Sequence, residues 1–387
     1  MDSTFNVPTK IHFGAGEIEN LSQIAKTYGK KCLLVTTENI YPLNELFSKI
    51  KGLLTEHGFE VVHFDKVIPN PTTEVVEKGI KILNENNIDF VLSVGGGSSI
   101  DTAKIISLLN GLDKIDWKNM FDTYNNPQGT YKSLSPKYIP HIAIPTTAGT
   151  GSEVTQAAVI SMGEEKNTIF HQDNYSDTAV LDPNLLITLP QKLTASTGFD
   201  AFCHAFESYI HSNTSPFGEL ASLEAIKTIK EYLVKSVENL ENVEYRKQLL
   251  YAQTLAGIGL SNAGASAPHP LSEIIGGITH ISHGEALALV FPEFLRNKYH
   301  LNIQKFAKVA KIYDESLNSI SDEKAAAKLG DIIENFLKEI GLYYKFEDYN
   351  LTDEQFKAII DCPILGFLPF GTKEELQQII LDSKELR

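Results

Sequence analysis

In the first half of the chain, short apolar runs alternate with longer stretches in which apolar side chains recur at helical intervals. Residues 31–36 (Lys-Cys-Leu-Leu-Val-Thr) form an apolar run behind Gly29, as a buried strand requires. Residues 41–57 carry apolar positions at helical spacing, residues 59–64 read as a second strand, and residues 74–87 read as a helix behind a Thr72/Thr73 cap. A third strand at 89–94 runs into GGGSSID at 95–101 and a helix that continues to Leu109. Residues 111–137, rich in Asp, Asn, Pro, Gly and Tyr, read as a surface excursion. The pattern resumes with a strand at 141–145, a small-residue loop at 146–153, and segments 154–162 and 178–182 that complete the sheet. Strands alternating with helices of this length predict an α/β fold with a parallel sheet and crossover helices. From Leu189-Pro190 onward the period changes. Residues 191–211, 218–239, 243–262, 284–296, 302–313, 323–340, 351–361 and 372–386 all favour helix, with turns at Pro216, Gly264, Pro268 and Gly341. The expected organisation is an α/β domain over 1–187 and an all-helical domain over 188–387.

Two loops of the first half carry candidate chemistry. The triglycine turn follows a strand and opens a helix, the place where such sheets bind ligands. Without side chains in the way, the backbone N–H groups of Gly96, Gly97 and Ser98 can close on an anion such as a pyrophosphate at the positive end of the helix. The competing reading is a turn that serves tight packing alone. It is not the G-x-G-x-x-G of the usual dinucleotide fingerprint. The loop Thr146-Thr147-Ala148-Gly149-Thr150-Gly151-Ser152-Glu153 can approach a ligand closely and offer the hydroxyls of Thr146, Thr147 and Thr150 to phosphate or ribose.

The helical half concentrates metal-ligating residue types between 194 and 285. Asp200 and His204 stand four apart in a run free of Pro, so on a helix they share one face about a turn apart. His269 and His283 follow, fourteen residues apart, each beside a helix breaker: Pro268 and Pro270 for the first, Gly284 for the second. Three imidazoles and a carboxylate make a nitrogen/oxygen set that suits Zn2+ or Fe2+, and suits poorly the calcium or magnesium that prefers oxygen alone. Cys203, next to His204, reads as a small core residue, and His211 as a helix C-terminal residue.

Composition narrows the partners. At 387 residues, 42% hydrophobic and 21% charged, the chain is long enough for two ordinary cores. A formal charge of −15 argues against nucleic acid and anionic membrane surfaces and favours small molecules. The three cysteines, Cys32, Cys203 and Cys362, are too few and too scattered for a disulfide framework, which predicts a cytoplasmic protein. No export signal or membrane span is expected, since no apolar run approaches the length a bilayer needs.

Taken together, IPNPT at 68–72, GGGSSID at 95–101, AIPTTAGTGSEVT at 143–155, GFDAFCHAFE at 198–207 and SHGEA at 282–286 resemble the iron-containing (group III) alcohol dehydrogenases, which share a fold with glycerol dehydrogenase and dehydroquinate synthase. The resemblance runs from Phe13 to the C-terminus. It implies an N-terminal dinucleotide-binding domain, a helical C-terminal domain, and an active site in the cleft between them. It further implies Asp200, His204, His269 and His283 as metal ligands, and contacts to NAD or NADP from Thr37, Asn70, Gly96, Gly97, Ser98, Asp101, Thr146, Thr147 and Thr150. The activity implied is reversible hydride transfer between a small alcohol and a nicotinamide, with the metal acting as Lewis acid. A homo-oligomer, commonly a dimer, is expected on the same ground.

Two positions depart from the family pattern. Where many members carry a further histidine four residues after the third ligand, this chain has Glu273. Glu273 can accept a proton or bind a polar substrate group, which predicts a pocket suited to a polar or polyol-like alcohol; equally, it can orient His269 or lie partly exposed. Where NAD-using members often carry an Asp after the first strand, Thr37 stands beside Glu38, which leaves NAD and NADP both open. His280, three before His283, is a candidate for lining the substrate pocket, relaying a proton or replacing a ligand. Two other readings are a lyase of the dehydroquinate synthase type and a non-catalytic metal- and nucleotide-binding assembly protein. The lyase needs a Lys/Arg cluster for its anionic substrate, whereas Lys227, Lys230, Lys235, Arg246 and Lys247 fall on intervening helices.

Overall fold

The structure, a computed structural model, describes residues 4–112, 114–163, 165–368 and 370–385; the predicted end of the last helix at 386 lies outside them. The chain forms two compact units, one made of Asn6–Leu189 with Leu240–Leu250 and the other containing Pro190–Asn239 and the chain from Tyr251 onward.

The first unit is built on a parallel sheet of β1 (Lys10–Phe13), β2 (Lys31–Thr37), β3 (Glu60–Val67), β4 (Phe90–Gly95), β5 (His141–Pro145) and β8 (Thr178–Leu181), in the order β1-β8-β5-β4-β2-β3. The strand between these, β6 (Ala157–Met162), does not complete the sheet as expected. It pairs antiparallel with β7 (Glu165–Phe170) in a separate two-stranded ribbon, where one face is polar and Ala158, Ile160 and Ile169 turn into the core.

Side chains alternate across the main sheet. Cys32 and Leu34 point to one face, with Phe90, Leu92, Val94, Ile142 and Ile144, and are covered by Leu21 and Ala25 of α1 (Leu21–Ala25) and Phe47, Ile50 and Leu54 of α2 (Leu43–Thr55). Leu33, Val35 and Val91 point to the other, under α3 (Thr73–Asn86) and α4 (Gly97–Leu108). Both faces are therefore covered, which explains why these strands are largely apolar rather than alternating. Each fully buried Leu or Ile contributes roughly 1.5–3 kcal/mol. The excursion at 111–137 holds a short helix, α5 (Trp117–Thr123), capped by the Asp116 carboxylate on the Asn119 N–H at 3.0 Å and anchored by buried Trp117, Met120 and Phe121.

The second unit is helical: α6 (Gln191–Ile210), α7 (Pro216–Glu238), α8 (Val243–Ala263, whose first turns belong to the α/β unit), α9 (Pro268–Thr279), α10 (His283–Lys298), α11 (Ile303–Tyr313), α12 (Asp322–Ala327), α13 (Leu329–Glu339), α14 (Asp353–Asp361) and α15 (Lys373–Glu385). Helix α6 is buried along most of its length. One face carries Phe199, Phe202 and Phe206, each with its ring centre 5.7 Å from that of Phe291 on α10. A second face carries Asp200, His204 and Glu207, at helical spacing. No described helix is long and apolar enough to cross a membrane.

Candidate functional site

Because the main sheet is parallel, the turns after β2, β3, β4 and β5 all leave from one edge, the carboxyl end of the strands. Thr37 ends β2, Asn70 follows β3 in the left-handed region at φ 53°, the Gly95–Ser98 turn follows β4, and the Thr146–Thr150 loop follows β5. The last two are packed on each other. Thr146 N–H donates to Gly95 O at 3.0 Å. A Cβ on Gly97 would lie 2.8 Å from Thr150 Cγ2, and one on Gly96 would lie 3.2 Å from Thr147 Oγ1, so the absence of side chains here lets the second loop close in. Packing is thus one role of the triglycine turn. It leaves the other intact, since Gly97 and Ser98 begin α4 and their N–H groups have no intrahelical acceptor.

Asp101 is held differently from the glycines. Its carboxylate accepts the Ser152 hydroxyl at 2.5 Å and the Val159 N–H at 2.9 Å. One turn further, buried Lys104 donates to Ser152 Oγ at 2.8 Å, to Thr155 O at 3.0 Å and to Ala157 O at 2.8 Å. Burial pushes the Lys104 ammonium down to about 8 against the opposing charges of Asp101 and Glu153. Burial likewise pushes the Asp101 carboxyl up. The pair ties α4 to the chain that follows the Thr146–Thr150 loop. Lys104 was not singled out from the sequence, although its place one turn beyond Asp101 was a legible signal.

In the helical unit, Asp200, His269 and His283 converge. The Nε2 atoms of His269 and His283 each lie 3.4 Å from Asp200 Oδ1, and one ligand atom from each of the three falls within 4.8 Å of the other two. His204 flanks them, its Nδ1 3.8 Å from Asp200 Oδ1 and its ring stacked on that of His269 at 4.3 Å. The approach of α10 depends on Gly284: a Cβ there would sit 2.5 Å from Ser196 O on α6. Three of the four side chains are at most 9% exposed, whereas that of His283 is 33% exposed, so the cluster opens on the His283 side.

Asp200 Oδ1 and His269 Nε2 are buried and make no hydrogen bond. Buried polar atoms are normally paired, and an aimed carboxylate and imidazole of this kind fit a divalent cation. Burial alone would raise the Asp200 carboxyl, but His204, His269 and His283 together hold it well below the usual range. For His269, burial works downward, and the Glu207 and Asp200 carboxylates outweigh it, bringing the imidazole up to about 10.

Two residues of this region escaped the sequence reading. Glu207 is fully buried, with Oε1 2.6 Å from His269 Nδ1 and Oε2 accepting the Ser266 N–H at 2.7 Å. Its position three residues after His204, on the same face, was the available signal. Ser272 lies between His269 and His283, with Oγ 2.7 Å from His269 O and 3.1 Å from His283 Nδ1. Glu273 is partly exposed on α9, and His280 is exposed at the helix end with φ 62°, its backbone N–H donating to Gly276 O at 2.9 Å; no hydrogen bond or ion pair joins either side chain to another described residue.

Sequence and structure comparison identify the family of the chain. Residues 8–183 match the family model described as iron-containing alcohol dehydrogenase, and residues 194–378 match that of the family's C-terminal domain. The chain belongs to the iron-containing alcohol dehydrogenase family. It is similar to an NAD-dependent methanol dehydrogenase of Bacillus methanolicus, 30% identical over 92% of each chain. It is also similar to an NADPH-dependent butanol dehydrogenase of Clostridium saccharobutylicum, 32% identical over 92% of this chain and 89% of that one. Among solved structures, a 1,3-propanediol oxidoreductase superposes with a TM-score of 0.90 at 30% identity, covering 99% of this chain and 100% of its own. The fold common to these iron-containing alcohol dehydrogenases is the one described above: a parallel six-stranded sheet with crossover helices, then a helical region.

Proposed function

We propose that this protein is a metal-dependent, NAD(P)-linked alcohol dehydrogenase that interconverts a small alcohol and its aldehyde or ketone. The observation that carries the reading is the convergence of buried Asp200 and His269 with the partly exposed His283, with Asp200 Oδ1 and His269 Nε2 lacking hydrogen bonds. Asp200, His204, His269 and His283 would hold Fe2+ or Zn2+. Bound there, the metal supplies Lewis acidity toward an alcohol or carbonyl oxygen, while the nicotinamide supplies the redox chemistry.

The chain's own groups account for the remaining tasks. The Gly96, Gly97 and Ser98 backbone binds the cofactor's pyrophosphate, Thr146, Thr147 and Thr150 offer hydroxyls beside it, and Thr37 and Asn70 line the same sheet edge. Asp101 acts at one remove, by holding Ser152. Thr37 places no carboxylate against a 2′-phosphate, although Glu38 follows it, so NAD and NADP both belong to the proposal, as the contrasting preferences in the two relatives' names suggest. Glu273 and His280, whose side chains make no hydrogen bond or ion pair to another described residue, are the proposed proton-handling and substrate-facing groups, which favours a polar or polyol-like alcohol. The lyase alternative gains nothing here: Arg246 is buried and spends its guanidinium on the carbonyls of Leu240 and Leu189, at 2.8 and 3.0 Å. Free cysteines, two of them buried, fit a cytoplasmic location, and a homo-oligomer is part of the same reading.

A panel of alcohols and aldehydes assayed with NAD and NADP, on protein reconstituted with iron and with zinc, tests the proposal. Cofactor reduction confined to metal-loaded protein is expected; no turnover with any pair would leave a non-catalytic protein. Glu273→Gln is expected to keep the metal and to alter the rate or its pH dependence, and a wild-type pH profile would remove Glu273 from the proposal.

A further inference from the structure

Ser272 is fully buried inside α9, where a serine hydroxyl ordinarily satisfies itself on a carbonyl one turn back. It does so here, donating to His269 O at 2.7 Å. That bond uses its only proton. The same oxygen nevertheless lies 3.1 Å from Nδ1 of His283, on the next helix and eleven residues away. A hydroxyl that has already donated can only accept, so the contact requires the hydrogen to sit on His283 Nδ1.

A neutral imidazole with hydrogen on Nδ1 carries its free lone pair on Nε2. In His283 that atom faces Asp200 Oδ1 at 3.4 Å. His269 is arranged in parallel: Glu207 Oε1 takes its Nδ1 at 2.6 Å, the other Glu207 oxygen is occupied by the Ser266 N–H, and its Nε2 also faces Asp200 Oδ1 at 3.4 Å. Two histidines of one cluster are thus fixed through Nδ1 by different means, one by a buried carboxylate and the other by a hydroxyl.

We propose that Ser272 is a positioning residue that holds His283 in the Nδ1–H form with Nε2 aimed at the Asp200 carboxylate, so that the helix-to-helix bond sets the affinity of the metal site. The inference rests on the proposed metal site and adds which residue orients its most exposed member. Outer partners of this kind alter metal affinity by roughly 10- to 100-fold. A hydroxyl is a weaker partner than a carboxylate, so the orientation of His283 is more easily lost than that of His269.

The test is a zinc(II) titration of the metal-free full-length protein against a competing chelator, for wild type and Ser272→Ala, with nitrogen-15-labelled histidine spectra of the zinc-loaded forms. Wild type is expected to show slowly exchanging Nδ1–H resonances for both His269 and His283. Ser272→Ala is expected to lose only that of His283 and to bind zinc about 10- to 100-fold more weakly. Equal zinc affinity in the two proteins overturns the proposal. So does a wild-type His283 Nδ1–H that exchanges too fast to be observed, a result the wild type alone can give if Ser272→Ala does not fold. Failure of wild type to bind zinc or iron at all would instead overturn the metal-site reading beneath it.

Discussion

Burial favours the neutral form of an ionisable group in both units, but the net shifts at the Asp101–Lys104 pair and at the Asp200 cluster run in opposite directions. In the α/β unit the buried ionisable groups are driven toward their neutral forms: Asp101 up, Lys104 down to about 8, and His141 down to about 3. In the helical unit Asp200 is held down and His269 is held up to about 10, both toward their charged forms. The difference lies in the company each group keeps. Lys104 is surrounded by hydroxyl and carbonyl oxygens that satisfy it without needing its charge relieved, whereas Asp200 faces three imidazoles and keeps an oxygen with no hydrogen bond. A buried group satisfied as Lys104 is makes a scaffold, and here the scaffold holds two small-residue loops. Burial with converging, incompletely satisfied donors makes a place for a cation.

The strongest way to break the contrast is to remove one member of the cluster. His269→Ala should lower metal affinity by more than the roughly 10- to 100-fold of an outer-partner change, and abolish turnover with it, while nucleotide binding by fluorescence is unchanged. The reciprocal break is Gly97→Ala. The added Cβ, 2.8 Å from Thr150 Cγ2, forces the two loops apart at a cost of about 1–3 kcal/mol. Nucleotide affinity should fall about tenfold for each 1.4 kcal/mol of that cost expressed in binding, with bound metal per chain unaltered.

A smaller effect sharpens the comparison. His141 is buried with Nε2 2.8 Å from Ser93 Oγ, and burial, helped by the Lys104 charge, lowers its pKa from 6.5 to about 3. The unfolded chain therefore binds a proton first as pH falls. The stability that His141 contributes is complete above pH 6.5 and is lost progressively toward pH 3. At pH 5 the loss is about 2 kcal/mol. Urea unfolding at pH 7 and pH 5 should show His141→Gln losing about 2 kcal/mol less than wild type over that interval. An identical loss would mean that the α/β unit does not keep this group neutral.

Much of the fold was legible because the central strands, covered on both faces, are apolar at nearly every position: Cys32 to Val35, Phe90 to Leu92 with Val94, and Ile142 to Ile144. Strands exposed on one side were harder to read. β1 (Lys-Ile-His-Phe) lies at the sheet edge with little apolar run, and β7 (Glu-Lys-Asn-Thr-Ile-Phe) presents a polar face, so neither was read as a strand and β6, the partner of β7, was read as part of the sheet. Helix α5 is stabilised by the packing of Trp117 and Phe121 rather than by a long local pattern. At the cluster, the Asp200–His204 spacing follows from one helix and could be read directly. That His269 and His283 meet Asp200 depends on α9 and α10 packing back on α6 through Gly284, a tertiary event with no local signature beyond the glycine itself. The family pattern named both histidines. Glu207, the last residue of the 198–207 motif, and Ser272, which lies outside the motifs, were given no role from the sequence; their contacts to the two histidines show in the structure.

The central claim is that one cation held by Asp200, His204, His269 and His283 is required for hydride transfer. The direct measurement is metal content and alcohol-dependent cofactor reduction on the same sample, before chelation, after it, and after Zn2+ or Fe2+ is restored. One metal ion per chain is expected, with activity lost on removal and regained on return. Full activity from protein stripped of metal would contradict the account.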